Sequence, residues 1–154
     1  NEGKVFNIIE FYAKMTDCLF CKIVARELPA SVVYEDGKVL AFLDVSPANK
    51  GHVLVIPKQH YATLLEVPDS TLSDLAKVAK KVSAAVLKAA KAKDFNFVQS
   101  NGPLAGQVVM HVHFHIFPRF KGDGLLAGRL NRPALVYEEG EMKEYMKRIR
   151  EAMQ

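Results

Sequence analysis

Polar and apolar positions alternate most strictly in the run His111-Val112-His113-Phe114-His115-Ile116-Phe117. Side chains at i, i+2 and i+4 of a strand share one face, so the run predicts a strand with three imidazoles on one side and Val112, Phe114 and Ile116 on the other. Residues 108–117 are read as this strand. Shorter apolar runs at 31–34 and 38–44 flank Glu35-Asp36-Gly37, a good hairpin turn. A nearly continuous apolar strand follows at 52–56, and another strand at 95–100. Residues 70–91 carry a different period. Leu72, Leu75, Ala79, Val82 and Val86 fall on one helical stripe, with most lysines elsewhere, which predicts a long helix lying on a sheet. Its N-cap is expected at Asp69 or Ser70. Short helices are expected at 17–27, ended by Pro29, and at 141–153. Residues 46–51 and 121–133 read as loops. Strands that follow one another closely, with few helices, predict an α+β fold: an antiparallel sheet with helices on one face.

Composition narrows the class. The chain has 154 residues, 49% of them hydrophobic and 25% charged, as expected for one globular domain. No apolar run reaches membrane-spanning length, and residues 5–13 lack the features of a signal peptide. The net charge of +4 allows a nucleic-acid partner. The lysines, however, are spread along one helix without interleaved aromatics, so a solvated helix face is expected and no specific nucleic acid. Two cysteines as Cys18-x-x-Cys21 point to a reducing compartment, the cytoplasm, and to metal or redox chemistry rather than a disulfide framework.

The histidine row is the candidate for chemistry. One histidine in a strand is usually structural, but three at strict alternation would be costly to bury without partners. A three-histidine metal site is disfavoured because same-face neighbours on a strand stand about 7 Å apart. The Gly-containing loop Asn101-Gly102-Pro103-Leu104-Ala105-Gly106-Gln107 leads into the row and suits an anion.

His-x-His-x-His preceded by Ala105-Gly106-Gln107 resembles the histidine triad (HIT) nucleotide hydrolases and transferases. Gly51-His52-Val53-Leu54-Val55-Ile56-Pro57-Lys58 and Asp17-Cys18-Leu19-Phe20-Cys21-Lys22-Ile23 resemble the same family, in its zinc-containing Cys-x-x-Cys branch. The likeness runs from about Asp17 to Gly124. It implies a HIT-like fold with a five-stranded antiparallel sheet, one long helix and one or two shorter ones, usually paired as a homodimer. Residues 17–154 would form the single domain with its C-terminal helix. Residues 1–16 would be an N-terminal extension, disordered or non-native.

By the same resemblance His113 is the nucleophile that attacks the α-phosphorus of a purine nucleotide such as AMP. A backbone carbonyl opposite His52 orients it, and His52 stands behind. His115 contacts non-bridging phosphate oxygens, aided by backbone N–H groups of Gly106, Gln107 and Val108. Asp44 binds the ribose hydroxyls; Phe20, Ile23, Phe42 and Val45 wall the base; Ser100 also faces the nucleotide. Cys18, Cys21, His60 and His111 hold a structural zinc, and no organic cofactor is expected. The implied activity is hydrolysis of purine nucleoside phosphoramidates, adenylates or dinucleoside polyphosphates through a nucleotidyl-histidine. The third histidine, rather than glutamine, favours hydrolysis over transfer. Two positions depart from the family pattern. Val108 lacks the hydroxyl of several members, and Ser100 is shorter than their Asn or Gln, with Asn101 nearby as a substitute. They keep open an alternative, a nucleotide-binding adaptor with weak or vestigial catalysis. A zinc-dependent hydrolase using the histidines as ligands is a third reading.

Overall fold

The computed structural model describes residues 17–126, 129–130 and 133–154; the extension assigned to residues 1–16 lies outside them. Five strands form one antiparallel sheet: β1 (Val32–Glu35), β2 (Val39–Leu43), β3 (Val53–Pro57), β4 (Asp94–Gln99) and β5 (Phe114–Arg119), in the order β1-β2-β3-β5-β4. The helices are α1 (Leu19–Val24), α2 (Asp69–Ala90) and α3 (Glu141–Ala152). The chain therefore has the α+β architecture that the patterns predict.

The two faces of the sheet follow the odd and even positions of its strands. Val39, Ala41, Leu43, Val53, Val55, Phe114 and Ile116 face one side, where Leu75, Val78, Ala79, Val82 and Val86 of α2 and Ile149 of α3 complete the main core. Leu40, Phe42, Leu54 and Ile56 face the other side and pack on Phe20 and Ile23 of α1. Helices on one face only is thus corrected. The short α1 covers the second face, which explains why every residue of β2 and β3 is buried. His52, two residues before Leu54, and His115, opposite Leu54 in the ladder, share this second face.

Four local expectations also change. The hairpin between β1 and β2 forms, but Gly37 is not left-handed. The Asp36 carboxylate closes the turn instead, accepting from the amides of Lys38 (2.7 Å) and Val39 (2.8 Å). Helix α2 starts one residue earlier than expected, with Pro68 at the cap and no side-chain capping bond. The ladder of β5 begins at Phe114 rather than 108. His111 and His113 precede it, although Val112 still points into the main core and donates its amide to the Tyr61 carbonyl. Within the expected 121–133 loop, β6 (Leu125–Leu126) and β7 (Arg129–Leu130) pair antiparallel.

Candidate functional site

Two groups of side chains meet on the α1 face. The first lies around a cavity of about 350 Å³ bounded by α1, the end of β2 and the loop before the histidine row. Phe20, Ile23, Phe42, Asp44, Val45, Gly106, Val108, His113 and His115 all line it. Its walls also include Leu19, Pro29, Ala30, Leu54 and Val109, which sequence reasoning missed because single apolar residues carry no signal beyond core packing. Phe20 stands edge-on to both Phe42 and His113, so one aromatic ring joins the apolar wall to the histidines.

Backbone partners assign the proton on each imidazole, since an amide only donates and a carbonyl only accepts. His113 Nδ1 lies 2.7 Å from the His111 carbonyl, so Nδ1 carries the proton and Nε2 keeps its lone pair. The orienting carbonyl is therefore that of His111, two residues back, and not one opposite His52. The Ala48 amide donates to His52 Nδ1 at 3.0 Å, so the His52 proton sits on Nε2. That proton goes to His115 Nδ1 at 2.9 Å, which leaves the His115 proton on Nε2. His113 and His115, with ring centroids 4.8 Å apart, thus offer opposite chemistry: a lone pair on one ring and a donor on the next.

Burial keeps these rings neutral. It pushes His52 down to about 3 and His115 down to about 4, with neighbouring histidines adding to both shifts. His113 is lowered chiefly by burial, against the His111 carbonyl and the nearby Asp44 carboxylate. Burial raises the Asp44 carboxyl, opposed by the Ser46 amide that one of its oxygens accepts at 2.8 Å.

Two residues expected at the nucleotide, Ser100 and Gln107, do not line the cavity. Ser100 does not line the cavity, because β4 has ended at Gln99 and the chain turns away. Its neighbour Asn101 is engaged with Gln99 and the Leu64 amide. Gln107 is buried behind the loop. Its side chain accepts from the Gly102 amide and donates to the Ala62 and Val109 carbonyls, so it shapes the loop from within. The amides of Gly106 and Gln107 close the turn on Pro103 and Gly102, and so are not free to receive an anion. Of the three expected amide donors, Val108 is the one with no protein partner among the described residues. Gly106, at φ +91°, allows the loop to turn at the cavity wall without a strained side chain.

The second group is Cys18, Cys21, His60 and His111, whose ligand atoms all lie within 4.8 Å of one another. His111 Nδ1 is 3.5 Å from Cys18 Sγ, 3.6 Å from Cys21 Sγ and 3.3 Å from His60 Nδ1. Cys21 Sγ is 3.4 Å from His60 Nδ1. A tetrahedral zinc with usual bond lengths requires S···N edges of about 3.6 Å and an N···N edge of about 3.3 Å, and these four separations match them. His111 Nε2 donates to the Pro57 carbonyl at 2.8 Å, which frees Nδ1 as a ligand. Burial and the adjacent Cys18 push the Cys21 thiol up to about 12, so holding the Cys21 sulfur as a thiolate calls for a cation beside it. The residues fit zinc. Bound there, it would tie α1 to the loop after β3 and to the start of the histidine row.

Asp44, His52 and His115 also converge closely enough for a metal. The proton assignment argues against one. The Ala48 amide occupies the acceptor nitrogen of His52, so Nε2 must stay protonated and cannot ligate as a neutral imidazole. A metal held by Asp44, His52 and His115 is unsupported for that reason.

The five-stranded antiparallel sheet carries a histidine row, a carboxylate and an apolar pocket on one face, an arrangement shared with a known family. The HIT domain family model matches residues 25–122, and the chain belongs to that family. An uncharacterised HIT-like protein of Methanocaldococcus jannaschii is 55% identical over 107 residues, 70% of this chain and 82% of that protein. An adenosine 5′-monophosphoramidase of Schizosaccharomyces pombe is 45% identical over 102 residues, 66% of this chain and 74% of that enzyme. A zinc-bound histidine triad family protein from Mycobacterium smegmatis superposes with a TM-score of 0.76 at 33% identity, over 90% of this chain and 94% of that one.

Proposed function

We propose that the protein is a HIT hydrolase that cleaves purine nucleoside 5′-phosphoramidates, adenylates or dinucleoside polyphosphates at the α-phosphate and releases the nucleoside monophosphate. The observation that carries this reading is the opposed proton placement on His113 and His115 at one wall of the cavity. The base lies between Phe20, Ile23, Phe42 and Val45, and Asp44 accepts from the two ribose hydroxyls. His113 Nε2 attacks the α-phosphorus, forming the N–P bond as the bond to the leaving group breaks. The Nε2–H of His115 and the Val108 amide donate to the non-bridging oxygens, where charge develops. The leaving group departs with the bonding pair and takes up one proton from solvent; water then attacks the same phosphorus, gives one proton to solvent, breaks the N–P bond and returns the lone pair to His113.

Zinc held by Cys18, Cys21, His60 and His111 supplies structural cross-linking and takes no part in the reaction. The domain comprises residues 17–154 and works as a cytoplasmic homodimer. Phe95 and Phe97, 42% and 49% exposed on the edge strand β4, support pairing there. Among the described residues no helix is long and apolar enough to cross a membrane.

The test is release of AMP from adenosine 5′-phosphoramidate and from a diadenosine polyphosphate, by wild type and His113→Ala. Turnover of either substrate by wild type, lost in the variant while AMP still binds, is expected. AMP binding without turnover of either substrate in wild type would replace the hydrolase by the nucleotide-binding adaptor.

A further inference from the structure

The donor role of His115 depends on a bond made outside the histidine row. The Ala48 amide keeps a proton off His52 Nδ1 and so sends it to Nε2, toward His115. Ala48 lies in the loop between β2 and β3, and nothing in its own side chain fixes that amide. The next residue does. Asn49 is 3% exposed, and its Nδ2 donates both to the Pro118 carbonyl at 2.8 Å and to Asp123 Oδ2 at 2.9 Å. Pro118 belongs to β5, the strand that carries His115, so Asn49 fastens the loop to that strand. The Asn49 carbonyl also accepts the His52 amide at 3.0 Å, closing a turn over residues 49–52 that begins directly after Ala48.

Asp123 in turn is held from several sides. Arg119 reaches it through Nε at 2.8 Å and through a second guanidinium nitrogen at 3.1 Å. The amides of Phe120 and Leu125 add 3.0 and 3.1 Å contacts. Its carboxylate is only 6% exposed. Arg119 also donates to Asn96 on β4 and to the Leu125 carbonyl, so the anchor spans two strands and the following turn.

We infer that Asn49 and Asp123 are positioning residues for the reaction: they hold the Ala48 amide against His52 and thereby keep the His115 proton on Nε2. The inference rests on the hydrolase reading for its kinetic consequence only. Were the amide to drift, His52 could carry its proton on Nδ1. Its Nε2 lone pair would then face His115 Nδ1 and draw the His115 proton there. His115 would turn a lone pair, rather than a donor, toward the phosphate oxygens. One displaced amide would thus reverse the polarity of the group opposite the nucleophile.

The experiment uses the full zinc-loaded chain with ¹⁵N-labelled histidine, and reads the protonated nitrogen of each ring by long-range ¹H–¹⁵N correlation. Wild type is expected to show His52 and His115 protonated at Nε2 and His113 at Nδ1. In Asn49→Ala, His52 and His115 are expected to populate both tautomers, and kcat for adenosine 5′-phosphoramidate to fall about tenfold or more with KM changed less than about twofold. Asp123→Asn, which keeps size and one acceptor oxygen, is expected to act in the same direction and serves if Asn49→Ala does not fold. A wild-type His52 protonated at Nδ1 overturns the inference. So does a variant that loses turnover with wild-type tautomers, or one that changes tautomers with wild-type turnover. If wild type hydrolyses no substrate, the hydrolase reading fails by itself, and the tautomers of wild type and variants still decide the positioning.

Discussion

His52 is 5% exposed, accepts from one amide and donates to one imidazole, so its fold leaves no room for a second ring proton. This dictates a pH dependence of stability that can be worked out. Burial is the main cause holding His52 down to about 3 in the folded protein, against about 6.5 in an unfolded chain. Below pH 6.5 the unfolded chain binds a proton that the folded one refuses, so stability rises with pH through this window and is lost as pH falls below 6.5. From pH 7 to pH 5 the loss from this residue is about 2 kcal/mol. Replacing it by Gln retains a group able to accept from Ala48 and donate to His115, but removes the titration. The assay is urea unfolding of wild type and His52→Gln at pH 7 and pH 5, at one protein concentration and with zinc bound. The fall in unfolding free energy between the two pH values should be smaller by about 2 kcal/mol in the variant, whatever the offset at pH 7. An equal fall in both proteins would refute the neutral, single-tautomer state of His52.

Other outcomes follow from the same geometry. Metal analysis should find one zinc per chain, and Cys18→Ser with Cys21→Ser should lose it. Chelation should abolish turnover and the folded near-ultraviolet signal together, whereas loss of turnover ahead of folding would make the zinc catalytic. Asp44→Asn should raise KM for the ribonucleotide substrate about tenfold or more while leaving the 2′,3′-dideoxy analogue nearly unchanged, as steady-state kinetics would show. Lys91 ends α2 in a left-handed conformation at φ +53°, so Lys91→Gly should stabilise the protein by about 1 kcal/mol in thermal or urea unfolding.

Strand and helix order were readable because burial imposes periods. The apolar runs at 39–43 and 53–57 mark strands, and the helical stripe from Leu75 to Val86 marks the helix that covers one face of the sheet. What escaped the sequence was decided by groups that carry no residue signature. Pro68 stands at the cap where Asp69 or Ser70 is expected, Asp36 rather than Gly37 closes the hairpin, and α1 covers a face whose apolar residues could equally have met a partner. The candidate site divides in the same way. Cys18 and Cys21 are identifiable from thiol chemistry and zinc spacing, His60 and His111 only through the family resemblance, and the structure brings the four together. Ser100 is expected at the nucleotide by position and Gln107 by its backbone amide, yet Ser100 lies past the end of β4 and outside the cavity lining, and the Gln107 amide is bonded to the Gly102 carbonyl.

The hardest part to read was the direction of the protons. Three histidines at alternate positions are equivalent in sequence, but main-chain atoms give each a different task. The Pro57 carbonyl leaves His111 a lone pair on Nδ1, beside the two sulfurs; the His111 carbonyl leaves His113 one on Nε2, on a ring that lines the cavity; the Ala48 amide, acting through His52, leaves His115 a proton at its Nε2. Neither carbonyl depends on the type of side chain at its position, so no motif can report them. The amide differs, because the buried Asn49–Asp123–Arg119 anchor fixes it and those side chains are written in the sequence. A sequence that keeps His-x-His-x-His but changes Asn49 or Asp123 would therefore be expected to keep the metal group and the apolar wall, and to lose the donor. If the proposed hydrolysis holds, that would separate nucleotide binding from turnover through residues that line neither the cavity nor the metal group.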